Sequence, residues 1–145
     1  IGAIAAGVDD ARLAAIREFG VPLGVAFQLR DDLLGVYGDP ALTGKPAGDD
    51  LREGKRTVLV AIARESLPAA ARSLVDELLG DSDLTDEQIG LLRRAFIDSG
   101  AVDHVERAIA FNVERAMDAL RRADLATSAA RELGALADAV ATRDA

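Results

Sequence analysis

The sequence predicts an all-α fold on three observations. Half of the 145 residues are hydrophobic, and alanine and leucine dominate them. Aromatic strand formers are thin, with four Phe and one Tyr. Apolar residues recur at three- and four-residue steps over long stretches, which is the period of an amphipathic helix.

Residues 1–7 read as the end of a helix that begins upstream. Ile1-Gly2-Ala3-Ile4 starts apolar with no capping residue before it. A buried, uncapped helix start is unfavourable, so the chain is expected to be a piece of something longer. Asp9 or Asp10 can cap the next helix. Its apolar positions run through Leu13, Ile16, Phe19, Leu23, Phe27, Leu33 and Leu34 to a stop near Tyr37-Gly38-Asp39-Pro40. Pro22 is expected to kink or restart that helix. Residues 40–54 have the composition of a loop. A helix follows from about Lys55 to Glu65, and another has Pro68 in its first turn and ends at Gly80. Thr85-Asp86-Glu87-Gln88 has the form of a capping box, with Leu84 and Ile89 spaced as a hydrophobic staple. That helix should close at Ser99-Gly100. Two further amphipathic helices are marked by Val102 to Leu120 and by Leu125 to Val140.

Composition removes several function classes. The net charge of −8 argues against a binder of nucleic-acid backbones. With no cysteine, disulfides, thiolate zinc sites and cysteine nucleophiles are out. No apolar run reaches the ~18 residues of a membrane span, and no signal peptide is visible. A cytoplasmic location is the expectation.

The chemistry concentrates in Phe27-Gln28-Leu29-Arg30-Asp31-Asp32-Leu33-Leu34-Gly35 and the loop after it. At ~100° per residue, Gln28, Asp31, Asp32 and Gly35 share one helix face. Adjacent carboxylates on an apolar helix need something to offset their charge. Mg²⁺ does this with one or two carboxylates plus substrate phosphates. Lys45, Arg52, Lys55 and Arg56 offer cations to a diphosphate, and Gly44, Gly48 and Gly54 permit close backbone approach. The alternative is a solvated or capping aspartate pair beside an ordinary exposed loop. Spacing alone leaves both readings open. Tyr37 reads as core, Phe27 as core or as a residue lining a cavity, His104 as a structural residue, and Asp49 and Asp50 as solvated loop acids or added metal ligands. Arg143 reads as a helix-end charge.

The ordered set Gly24 to Asp39, Thr43-Gly44-Lys45-Pro46, Gly48-Asp49-Asp50-Leu51 and Glu53-Gly54-Lys55-Arg56-Thr57 resembles the second aspartate-rich motif of trans-polyprenyl diphosphate synthases. The resemblance is closest to bacterial synthases of the geranylgeranyl diphosphate type. Leu133 to Val140 is similar to the final helix of that family. The resemblance implies the C-terminal helices of an isoprenoid-synthase bundle over residues 1–145, with the first aspartate-rich motif absent. It implies a Mg²⁺-dependent prenyltransferase joining isopentenyl diphosphate to an allylic diphosphate, a homodimer when intact and inactive as this piece. It implies metal ligation by Asp31 and Asp32, diphosphate contacts from Lys45 and Lys55, and a place for Gln28 on the same cavity face. Asp39 falls in the family's Gly-Asp turn and takes a structural role, with a place at or beside the metal as the alternative.

One position departs. The family motif is DDxxD, and its last Asp is Gly35 here. That gap is the feature favouring the rival reading, a non-catalytic subunit built on the same fold.

Overall fold

The computed structural model describes residues 2–44, 46 and 48–142, with the side chains of Leu42 and Thr43 left aside. The described residues form helices and no strand. In chain order these are α1 (Gly2–Ala5), α2 (Asp10–Tyr37), α3 (Pro40–Thr43), α4 (Asp49–Arg52), α5 (Val58–Ser66), α6 (Ala69–Leu78), α7 (Asp86–Asp98), α8 (Ala101–Arg122) and α9 (Thr127–Thr142).

Local chemistry explains most of the boundaries. The Thr57 side chain caps α5 by accepting from the Val60 N–H at 3.3 Å. At α7 the expected capping box forms. Thr85 Oγ1 accepts from the Gln88 N–H, and the Gln88 side chain accepts from the Thr85 N–H. Leu84 and Ile89, the predicted staple, are both buried. Pro68 stands at the N-cap of α6, one place earlier than expected. The last helix starts at Thr127, so Leu125 precedes it.

Three expectations fail. Helix α2 runs through Pro22 and does not restart there. The ring removes one backbone donor, but Pro22 is buried on a helix that also buries Phe19, Leu23 and Ala26. Packing outweighs the local cost there. The stretch 40–54 is not plain loop, because α3 and α4 lie inside it. Phe27 is 47% exposed and is not core. It lies ~100° around the helix from the buried Ala26.

The chain divides into two compact units. Among the described residues, one gathers those up to Gln28 with those from Ala108 to the end of α9; the other is Leu29–Arg107. In the first, Phe19, Leu23, Ala26, Ile109, Ala116, Leu120, Ala137 and Val140 are buried. An apolar cleft of about 310 Å³ opens between α2 and α9, walled by Phe19, Gly20, Leu23, Phe27 and Leu136. In the second, α7 packs on α5 and α6. Phe96, Leu92, Leu59, Leu51, Val75 and Val105 are almost wholly inaccessible. Each such side chain contributes about 1.5–3 kcal/mol by leaving water.

Phe96 is the largest of the fully buried side chains. Phe96→Ala is expected to cost about 3–5 kcal/mol, the transfer loss plus the cavity left behind. Urea denaturation followed by far-UV circular dichroism measures it. A loss under 1 kcal/mol would show that this core is not packed as described.

Candidate functional site

The second half of α2 carries the aspartate pair, and its surroundings hold it firmly. Asp31 is exposed, whereas Asp32 is 8% exposed, on a stretch that buries Leu29, Leu33 and Val36. Arg30, which precedes the pair in sequence, reaches α8. Its guanidinium makes a two-pronged bond to Glu106 on α8, at 2.7 and 2.9 Å. The C-terminal end of α2 is clamped by α7. Arg93 Nε donates to the Val36 carbonyl at 2.7 Å, and the Tyr37 hydroxyl donates to the Arg93 carbonyl at 2.9 Å. The Val36 carbonyl belongs to the last turn, where intrahelical donors run out. The guanidinium also lies 5.8 Å from the Tyr37 ring centre. Asp39 then caps α3, accepting from the Ala41 N–H at 2.8 Å, so its expected structural role holds.

The returning segment is pinned as tightly. Leu51 is 1% exposed, and its carbonyl accepts from the Gly80 N–H at 2.9 Å. Gly54 and Gly80 meet backbone to backbone; a Cβ on Gly54 would lie 2.9 Å from the Gly80 Cα. Both have positive φ, 67° and 94°, so glycine is needed there for conformation and for room. Arg52 donates to the Leu84 carbonyl at 3.1 Å. These contacts tie α4 to the end of α6 and the approach to α7.

The contact that results is between Asp50 and Gly35. Asp50 is 4% exposed, which corrects the reading of it as a solvated loop acid. Its carboxylate lies directly on Gly35. A Cβ at residue 35 would be 2.9 Å from Asp50 Oδ1 and closer still to Cγ and Oδ2, deep inside van der Waals distance. Lys55 closes the arrangement. Its ammonium donates to Asp50 Oδ1 and lies 3.4 Å from Glu53 Oε2. The bond from Asp50 holds the Lys55 pKa above the ordinary lysine value, against a lowering by burial. Oxygen atoms of Asp49, Asp50 and Glu53 lie within 4.8 Å of one another.

Of the predicted site residues, Asp31 and Asp32 share α2, and Lys55 reaches that helix through Asp50 at Gly35. Gln28 is exposed on α2, one turn before the pair. Lys45 and Arg143 lie outside the described residues. His104 is exposed on α8. Sequence reasoning undervalued Asp50. Its one local signal was a missing side chain at residue 35, fifteen positions away in the chain.

A polyprenyl synthetase family model matches residues 1–94. The chain belongs to the polyprenyl synthetase family. A geranylfarnesyl diphosphate synthase of Aeropyrum pernix is 44% identical over 136 residues, covering 92% of this chain and 41% of that protein. The crystal structure of a geranylgeranyl pyrophosphate synthase from Corynebacterium glutamicum, complexed with isoprenyl diphosphate and magnesium, matches with a TM-score of 0.93 and 39% identity. It covers 99% of this chain and 41% of that one. A Caulobacter crescentus polyprenyl synthase, complexed with calcium and isoprenyl diphosphate, matches at 0.84 and 36%, covering 99% and 44%. The chain thus spans about two fifths of the length of these relatives. The expected all-α, isoprenoid-synthase-type bundle is the fold found. No helix among the described residues is long and apolar enough to cross a membrane.

The clamp at the end of α2 has a spectroscopic signature. Burial pushes the Tyr37 pKa up to about 12, with Arg93 pulling the other way. Tyr37 is the sole tyrosine, so absorbance at the tyrosinate band reports it alone. It should ionise near pH 12 in the folded chain and near the ordinary value of about 10 in urea. For a group whose folded pKa is raised, the stabilisation is complete below the unfolded value and lost as pH climbs through the folded one. The chain should therefore lose stability between about pH 10 and 12, with Lys55 adding a loss of the same sign. Ionisation near 10 in native buffer would contradict the clamp.

Proposed function

We propose that this chain is the C-terminal, diphosphate-gripping half of a trans-prenyltransferase. Its reaction condenses isopentenyl diphosphate with an allylic diphosphate and depends on Mg²⁺. One observation carries the reading: a helix bearing Asp31 beside a buried Asp32 receives, one turn further on at Gly35, the Asp50–Lys55 pair. Carboxylate oxygens with an adjacent ammonium suit a hard cation and a diphosphate together. The relatives crystallised with isoprenyl diphosphate and a divalent cation support it.

The donor set fits Mg²⁺, since Asp31 and Asp32 offer only hard oxygen atoms and Asp32 already lies partly desolvated. Asp31 and Asp32 would hold the ion. When bound, Mg²⁺ offsets the negative charge that grows on the leaving diphosphate. Lys55, held by Asp50, stands at the same helix face as a second positive charge, and Lys45 is assigned the same task. In the reaction the allylic C–O bond breaks and its electron pair leaves with diphosphate. The double bond of isopentenyl diphosphate attacks the carbocation, and a proton is then lost to the released diphosphate. Preorganised charge lowers the barrier to ionisation because it need not rearrange as the bond stretches. Gln28 completes the face as a substrate contact. The intact protein is proposed to be a cytoplasmic homodimer.

In the intact enzyme, Asp31→Ala or Asp32→Ala should lower kcat by at least about a hundredfold, the scale of losing preorganised charge stabilisation. Radiolabelled prenyl transfer measures it, and a rate near that of the unaltered enzyme removes the pair from the catalytic set. Residues 1–145 alone should show no transfer, because one carboxylate arm cannot clamp a diphosphate from two sides. Turnover by this chain alone would refute that.

A further inference from the structure

We infer that Asp50 supplies the third carboxylate of the aspartate-rich site, seated where residue 35 has no side chain. The inference deepens the proposed metal–diphosphate reading and rests on it. The motif places its third acid one helical turn after the pair, and Gly35 occupies that place. The volume a side chain would fill there holds the Asp50 carboxylate instead. Oδ2 is the oxygen nearest that position, while Oδ1 takes the Lys55 ammonium. The acid comes from α4 instead of α2, while its charge stands at the same turn of α2.

Three features make the exchange a built one. Asp50 is 4% exposed, so its carboxylate is kept from water at a cost that an ordinary loop acid avoids. The Lys55 ammonium meets that cost in part, and the Lys55 N–H, donating to the Asp50 main-chain carbonyl at 3.0 Å, holds the two residues in register. Leu51, next in sequence, anchors α4 in the core and fixes the approach. Glycine at 35 is then a requirement of the neighbour rather than of the backbone, since Gly35 lies inside α2 and is not among the positive-φ glycines. Asp50 is thereby a positioning residue. It aims Lys55 and presents a carboxylate to the ion-binding face.

The test uses the full 145-residue chain with Mn²⁺ as the ion and inorganic pyrophosphate as the probe, read by electron paramagnetic resonance of bound Mn²⁺. Circular dichroism checks that each variant is folded. Asp50→Asn should weaken Mn²⁺ binding in pyrophosphate about 10–100-fold, the usual effect of removing a group that supports a metal site. Gly35→Ala, which adds only a methyl group, should weaken it too by displacing the Asp50 carboxylate. The exchange Gly35→Asp with Asp50→Ala, which vacates the space at residue 35, should recover affinity to within about tenfold of the unaltered chain, which a merely structural role for Asp50 would not predict. Unchanged binding in Asp50→Asn, or no recovery in a folded double variant, overturns the assignment while leaving the metal–diphosphate reading intact. Failure of the unaltered chain to bind Mn²⁺ with pyrophosphate overturns both.

Discussion

The buried carboxylate of Asp50, paired with Lys55 and pressed on Gly35 of α2, is the constraint from which the arrangement of the site follows. A carboxylate withdrawn from water is unfavourable unless a cation and close contacts compensate it. Lys55 supplies the cation, and α2 supplies the contact because residue 35 is glycine. Leu51, buried between them in sequence, makes the position of the segment a matter of core packing rather than of loop preference. The site is therefore held by the same burial that stabilises the second unit.

Other contacts serve the same end. Arg30 bonds Glu106 through both prongs of its guanidinium, which ties that turn of α2 to α8. Arg93 and Tyr37 tie α7 to the end of α2, so the chain leaves the helix from a defined point. Gly54 and Gly80 let two backbones touch where any side chain would hold them apart. Stiff supports of this kind are what a site needs if charge is to be in place before a leaving group departs.

Family membership and site geometry answer different questions. The match over residues 1–94 and the solved relatives establish ancestry and fold. How this chain accommodates a glycine in place of an acid follows from its own side chains. In the sequence, Gly35 looked like a loss and favoured a non-catalytic homologue. In three dimensions the gap is filled by a carboxylate from α4, and that argument for a silent homologue weakens.

The sequence alone determined whatever depends on neighbours a few residues away. The helical period put Asp31 and Asp32 on a common face, Thr85 and Gln88 specified a cap, and Gly38-Asp39-Pro40 ended α2. Such features are set by backbone geometry within one or two turns. Tertiary structure alone decided that Asp50 is buried while Phe27 is exposed, that Pro22 sits inside an unbroken helix, and that Lys55 meets α2 through an intermediary. The physical reason is that burial belongs to no residue by itself; it is conferred by segments distant in the chain that exclude water from the same place.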